Sequence, residues 1–302
     1  VKLITGANGL LGSCFSSLEE CHTPSCDLLV DDFEKQITND IECVIHCAAV
    51  VGGLQANMEN IADFFVSNMK ININVLDACK KKNVKLLSIM STCIYPSEDF
   101  VSYPLTENQL HMGPPHDSNF GYAYAKRMLD VMSKAYRQQY GSNFITVIPN
   151  NLYGTNDNYK IPDGHVIPSL IRRIYEAKIQ NEKSIVIWGS GKPIREFTFA
   201  PDAAKIILWL ANNYDEAEPV NIGNPDSISI KDLAYLLVDI IKFEGEIVFD
   251  QSKSDGQYQK PCSNQKLQKL GWEPCYTPLR AGLEKTISHF IKEYPNVRGY
   301  KK

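Results

Sequence analysis

Val1–Thr5 is a short apolar run that passes directly into Gly6-Ala7-Asn8-Gly9-Leu10-Leu11-Gly12. A strand, three glycines at that spacing and then a helix is the arrangement that binds dinucleotides. The glycines let the backbone turn tightly and approach a pyrophosphate, whose charge meets the amides at the helix start. Gly6, Asn8, Gly9, Leu10, Leu11 and Gly12 are therefore expected against a cofactor, with a helix from Leu10 to about Leu18.

The alternation continues. Cys43–Cys47, Leu86–Ile89 and Phe144–Ile148 read as buried strands. A helical pattern from about Ile61 to Lys82 places Phe65, Met69, Ile73 and Leu76 on one face, and a later helix carries Tyr122 and Lys126. This predicts an α/β fold with a Rossmann-like, doubly wound parallel sheet over residues 1–153. Its second-strand region is shortened. Only Glu19–Cys26 separates the first helix from Asp27-Leu28, too little for helix, strand, helix and strand. The second strand is expected to be stunted and its crossover helix lost. Asp27 lies near the position, about 20 residues past the glycines, where an acid meets the adenosine; a plain turn aspartate explains it equally well. Ala48 and Ala49, with Gly52 and Gly53, leave room for a flat cofactor or simply form a turn.

Beyond Gly154 the loops lengthen and become more polar. A smaller interleaved α/β lobe is expected over 154–196 and 225–302, with 197–224 returning to the first domain. His165–Ile174 reads as a helix, Ile185–Trp188 as a strand turning at Gly189-Ser190-Gly191, and Val220–Gly223 as another strand. Ser229-Ile230-Lys231-Asp232 caps a helix through Ile241.

A net charge of −4 gives no reason to expect nucleic acid or an anionic membrane as partner. No apolar run reaches the roughly 18 residues of a membrane span, and no secretory leader is expected. The nine cysteines contain no Cys-x-x-Cys pair, which argues against a disulfide framework or a metal site and for a reducing cytoplasm.

Chemistry concentrates in 89–126. The strand ending at Ile89 delivers Ile89-Met90-Ser91, and Tyr122 and Lys126, four apart, share a helix face. A lysine ammonium beside a phenol favours the phenolate, so the tyrosine pKa is expected to fall toward neutrality while a serine holds the substrate oxygen. This set can protonate a carbonyl oxygen as a hydride reaches its carbon.

These motifs together resemble the extended short-chain dehydrogenase/reductase superfamily. Further strings narrow the resemblance to the GDP-L-fucose synthase family. They are Val51-Gly52-Gly53, Ser91-Thr92-Cys93-Ile94-Tyr95-Pro96, Asn151-Leu152-Tyr153-Gly154, His165-Val166-Ile167-Pro168, Trp188 through Phe197, Asp250 through Gly256, and Leu270-Gly271-Trp272. The resemblance implies an NADP(H)-dependent enzyme that epimerises C3 and C5 of GDP-4-dehydro-6-deoxy-D-mannose and reduces C4, giving GDP-L-fucose. It implies Ser91, Tyr122, Lys126, Cys93 and His165 as catalytic residues. It adds Asp27, Ala48, Ala49, Ile89, Met90, Pro149, Asn151 and Leu152 to the cofactor contacts, with Tyr122, Lys126 and His165. Arg173, Trp188 and Arg195 are implied for the GDP-sugar, and Lys260 for its nucleotide end. A homodimer through helices near 61–82 and 122–140 is also implied. By themselves, Cys93 reads as a small buried hydrophobe, His165 as a helix-start residue and Arg173 as an exposed helix arginine. If the strand stays extended past Ser91, Cys93 points to the same side as that serine.

The sequence departs from the family pattern at Met90, Val50, Asn150 and Phe120-Gly121. It also lacks the basic residues that relatives place around the NADP 2′-phosphate, leaving His22, Thr23 and Ser25 as replacements. Two other readings fit the same motifs: another GDP-sugar epimerase/reductase, such as a GDP-L-colitose synthase, and a non-catalytic NADP(H)-sensing regulator.

Overall fold

The computed structural model describes residues 1–161, 164–253 and 255–300; Ser254 of the string Asp250–Gly256 lies outside them. The chain lays down β1 (Lys2–Thr5), β2 (Cys21–His22), β3 (Cys43–His46), α1 (Leu54–Glu59), α2 (Ile61–Lys82), β4 (Lys85–Ile89), α3 (Phe120–Tyr140), β5 (Phe144–Pro149) and β6 (Asn151–Tyr153). It continues with α4 (Val166–Ile179), β7 (Ser184–Trp188), β8 (Ile194–Phe199), α5 (Ala200–Asn213), β9 (Val220–Ile222), β10 (Ser227–Ser229), α6 (Ile230–Ile241), β11 (Glu246–Asp250), α7 (Gln265–Lys269) and α8 (Leu279–Glu293). One six-stranded sheet, ordered β2-β1-β3-β4-β5-β9, is parallel throughout. The chain runs outward from β1 in both directions, so the carboxyl ends of β1 and β3 form the switch point at which such sheets bind ligands. A three-stranded sheet (β10-β8-β6) and a parallel pair (β11-β7) lie outside the six-stranded sheet.

Both sheet faces are covered. Val75, Leu76, Cys79 and Leu129 of α2 and α3 pack on one face, and Ile206, Ile207 and Leu210 of α5 on the other. A separate core forms around these smaller sheets, in which Ile171 and Ile174 of α4 meet Leu237 of α6 and Phe290 of α8.

The stunted second strand is two residues long. The helix expected from Leu10 to Leu18 is instead a 3₁₀ turn over Gly12–Ser17. Its sequence, Gly-Ser-Cys-Phe-Ser-Ser, is poor in helix formers. Ser13 and Cys14 both donate to the Leu10 carbonyl (3.2 and 3.3 Å), and Ser17 donates to Cys14 (2.9 Å). Such back-bonding competes with α-helix and favours a tight, short turn. The lost crossover helix is replaced by a second 3₁₀ turn, Phe33–Gln36, whose Phe33 is fully buried. Asn74 of α2 fastens the preceding loop by donating to the Leu28 and Asp31 carbonyls (3.0 and 2.7 Å).

The buried face of α2 also differs from expectation. Phe65 and Ile73 are 38% and 44% exposed, while Asn68, Ile71, Asn72, Val75, Leu76 and Cys79 face inward. The apolar stripe misled because two asparagines are needed inside. Asn68 exchanges hydrogen bonds with the Val50 backbone (3.0 and 2.9 Å). Asn72 bridges His46 (3.2 Å) and the Ala125 carbonyl (3.0 Å). At Ser229 the expected cap forms, its hydroxyl accepting from the Asp232 amide (3.0 Å).

Gly121 explains the departure seen before Tyr122. A Cβ there would lie 2.2 Å from the Ile61 carbonyl oxygen, so α3 can begin against the start of α2 only with glycine. Gly121→Ala is expected to cost about 1–3 kcal/mol, as overpacking does. Urea unfolding should show a lower midpoint at unchanged slope.

Candidate active site

One continuous cleft of about 1490 Å³ runs from the main sheet to the smaller sheets. The glycine turn forms one end. Gly6 has φ +68°, and a Cβ on Gly12 would stand 2.2 Å from the Gly6 carbonyl oxygen. Gly9 donates to that same carbonyl (2.9 Å). Asn8, Leu10 and Leu11 line the cleft beside it, and Ala48 and Ala49 face it from the end of β3. This small-residue cradle at the switch point fits a dinucleotide. Next to it, Thr5 donates to His46 Nδ1 (2.8 Å) and accepts from the Ala48 amide (3.1 Å). Burial pushes His46 down to about 3, so its ring is neutral and can donate to Asn72.

Thr23 and Asp27 line the same end. The Asp27 carboxylate accepts from its own loop, at the Leu29 amide (2.9 Å). His22 turns toward Asp40 (3.7 Å), and the Ser25 amide donates to Gln36 (2.9 Å). Of the three replacements named for the phosphate site, Thr23 is the one that lines the cleft.

At mid-cleft stand Ile89, Met90, Ser91, Cys93, Tyr122, Lys126, Pro149, Asn151, Leu152 and His165. Ser91 follows β4 in extended conformation, but the backbone then enters a 3₁₀ turn at Thr92–Ile94. The extension expected to align Cys93 with Ser91 is therefore absent. The turn still leaves both residues lining the cleft, with Ser91 near enough to act on the Cys93 thiol. Arg127 fixes this turn by donating to the carbonyls of Ile94 (2.9 Å) and Gly113 (2.8 Å), and Lys126 donates to Ile89 (2.9 Å). Two adjacent residues of α3 thus bind both sides of the Ser91–Cys93 turn.

The electrostatics correct one expectation. Tyr122 is raised, not lowered, by burial and then by the nearby Cys93. It is held as a phenol, the form that can donate a proton. Lys126 is pushed down by burial to about 8, against the opposing influence of Cys47 and Cys93. Burial also raises the Cys93 thiol, while Lys260, Ser91 and Lys126 act in the opposite direction. Burial would lower His165, but the Asp157 carboxylate more than offsets it, and the ring is net raised.

Lys260, expected at the nucleotide end, stands at the thiol end: its charge acts on Cys93, His165 and Arg195. The reason is tertiary. Leu105 donates to Pro261 (2.7 Å) and accepts from Ser263 (2.8 Å), which draws this segment against the chain just beyond Cys93. At the far end, Trp188 is 53% exposed on the outward face of β7, with Lys253 5.4 Å from its ring centre. Arg173 donates to the Val186 carbonyl, and Arg195 donates to those of Gln257 (2.7 Å) and Tyr258 (3.1 Å). Both guanidiniums line the cleft, partly desolvated and braced by backbone. Asp157 and Arg298 also line it. Sequence reading missed both, because neither stands in a pattern of its own; an acid between two asparagines, eight residues before His165, was the available signal. Among the described residues, no cluster of His, Cys, Asp and Glu could hold a metal.

Replacing Lys260 by Met removes the cation opposing the rise of the Cys93 pKa. The pH midpoint for iodoacetamide alkylation of Cys93, followed by peptide mass spectrometry, should move upward. An unchanged midpoint would refute the assignment.

A profile of the family described as "NAD dependent epimerase/dehydratase family" matches residues 2–223. The chain is 42% identical over 312 residues to the GDP-L-fucose synthase of Dictyostelium discoideum, covering 98% of this chain and 97% of that protein. It is 36% identical over 318 residues to a probable GDP-L-fucose synthase of Drosophila melanogaster, covering 98% of each. The crystal structure of a GDP-L-fucose synthetase from Naegleria fowleri bound to NADP superposes with a TM-score of 0.86 at 36% identity, covering 98% of this chain and 95% of that one.

Proposed function

Because the chain belongs to the NAD-dependent epimerase/dehydratase family, and within it to the GDP-L-fucose synthases, we propose roles for its cleft residues in that reaction. The protein is an NADP(H)-dependent epimerase/reductase that converts GDP-4-keto-6-deoxymannose to GDP-L-fucose. The observation that carries the assignment of roles is the shared cleft. Ser91, Cys93, Tyr122, Lys126 and His165 all line the cleft that the glycine cradle also lines.

The C4 ketone acidifies the hydrogens on C3 and C5, so inverting either carbon needs a base on one face and an acid on the other. Cys93, as thiolate under the influence of Lys260, removes the proton. His165, as imidazolium, returns one from the opposite face. Ser91 and Tyr122 donate hydrogen bonds to the C4 oxygen and stabilise the enolate between the two steps. NADPH, when bound, supplies the hydride for C4. Tyr122 gives its proton to the C4 oxygen, and Lys126 stabilises the phenolate left behind. The sequence expected a tyrosine already poised to ionise; burial instead keeps the acid loaded until the oxygen needs the proton.

Arg173 and Arg195 hold the pyrophosphate, with planar forks suited to paired oxygens, and Trp188 walls the sugar nucleotide. Gly6, Asn8, Gly9, Leu10, Leu11 and Gly12 cradle the cofactor pyrophosphate. Ala48 and Ala49 pass its body, and Ile89, Met90, Pro149, Asn151 and Leu152 flank its reactive end.

Incubation with GDP-4-keto-6-deoxymannose, NADPH and D₂O should yield GDP-L-fucose carrying deuterium at C3 and C5 by NMR. Cys93→Ser should lose deuterium incorporation by about 10²-fold or more, while C4 reduction of the unepimerised sugar persists. A product unchanged at C3 or C5 would instead indicate a single-centre GDP-sugar enzyme.

The protein acts as a cytoplasmic homodimer. Nine free cysteines suit a reducing compartment, and no helix among the described residues is long and apolar enough to cross a membrane. Exposed Ile61, Phe65, Val66 and Ile73 on α2, with Val131 on α3, supply an apolar surface for a second copy. Ile73→Glu should halve the mass measured by light scattering; a wild-type chain already monomeric at micromolar concentration would refute the dimer.

A further inference from the structure

Asp157 is one of the least exposed charged residues facing the cleft, with a side chain only 4% exposed. Its Oδ1 accepts from the Asn158 amide (2.7 Å) and stands 4.0 Å from His165 Nδ1. Its Oδ2 is buried and has no hydrogen-bond partner. A buried carboxylate left half-satisfied is costly unless a positive charge stands beside it. His165, the residue before α4, has a side chain 51% exposed and lines the cleft, with the carboxylate on its Nδ1 side.

The loop holding Asp157 is braced from two directions. Arg172 of α4 donates to the Tyr159 carbonyl (2.9 Å), and Tyr159 donates its amide to Arg298 (2.9 Å). Arg298 in turn donates to the Asn156 carbonyl (3.2 Å). The carboxylate therefore keeps its position relative to the start of α4.

We propose that Asp157 is the positioning residue for His165: it accepts the Nδ1 hydrogen, leaving Nε2 as the proton-donating atom toward the sugar, and its charge keeps the imidazolium available at neutral pH. This rests on the role given to His165 above. The 4.0 Å separation is an ion pair that a small ring rotation closes into a charge-assisted hydrogen bond. Geometrically it is the arrangement in which a buried acid fixes the tautomer and orientation of a catalytic imidazole. The charged groups acting on His165 are Asp157 in one sense and Arg298 and Lys260 in the other; burial also disfavours its charge, and Asp157 outweighs all three.

Asp157 favours the charged ring, so activity that needs the imidazolium is retained to higher pH and falls as pH rises through the His165 pKa. In Asp157→Asn that falling limb should move down by about one pH unit. Deuterium incorporation at C3 or C5 should fall about tenfold at pH 7.5, while GDP-sugar and NADPH affinities stay unchanged. Histidine-selective ¹⁵N NMR of the intact enzyme provides the decisive reading. In the wild type, His165 should titrate above a free imidazole, with its neutral form protonated at Nδ1. Asp157→Asn should lower that pKa, and Asp157→Glu should restore it. An unchanged His165 titration in folded Asp157→Asn overturns the proposal. So does a wild-type neutral ring protonated at Nε2, a result that needs no variant to fold. If His165→Gln leaves deuterium incorporation intact, the catalytic role of His165 fails, but the Asp157–His165 titration is read separately.

Discussion

The junction between α3 and the carboxyl end of β4 holds the side chains of the candidate site together. Lys126 donates to the last residue of β4, and Arg127 donates across the adjoining 3₁₀ turn to Ile94 and Gly113. Consecutive side chains of one helix thereby fix the backbone that presents Ser91 and Cys93, while Tyr122, one helical turn back, faces the same space. Gly121 allows this, since its missing Cβ lets α3 start against Ile61 of α2. Buried hydrogen bonds from charged donors to carbonyls are expensive to break, so the constellation is rigid before any ligand arrives.

That rigidity comes with burial, and burial sets the protonation states. Tyr122 is kept neutral, Lys126 is brought to about 8, and the Cys93 thiol is raised against the pull of Lys260. The site thus holds an acid that is reluctant to ionise beside a thiol that ionises only with help. In the proposed reaction, epimerisation and reduction would make opposite demands on these groups, and two different cations act on the thiol: Lys126 from α3 and Lys260 from the segment paired with Leu105.

The shortened segment after the glycines shows how a sheet tolerates lost elements. Two 3₁₀ turns replace two helices. Phe33 fills the core, and Asn74 on α2 satisfies carbonyls that a helix would have paired internally. The switch-point cradle survives because it depends on Gly6, Gly9 and Gly12 and on the ends of β1 and β3, not on the length of the segment between Gly12 and β3.

The sequence alone determined the buried strands β1, β3, β4 and β5, the long helices α2 and α3, the glycine turn and the spacing of Tyr122 and Lys126. All of these are local: strand runs, turn glycines and helical periodicity are written within a few residues of where they act. Tertiary structure decided the rest. It turned Asn68 and Asn72 inward and left Phe65 and Ile73 outside, because buried carbonyls and His46 required partners. It placed Lys260 beside Cys93 through a contact with Leu105, and Asp157 behind His165 through a loop braced by Arg298. It raised the Tyr122 pKa where spacing alone predicted a fall. Hydrogen-bond satisfaction and desolvation depend on what the whole chain packs around a group, so they become legible only once it has folded.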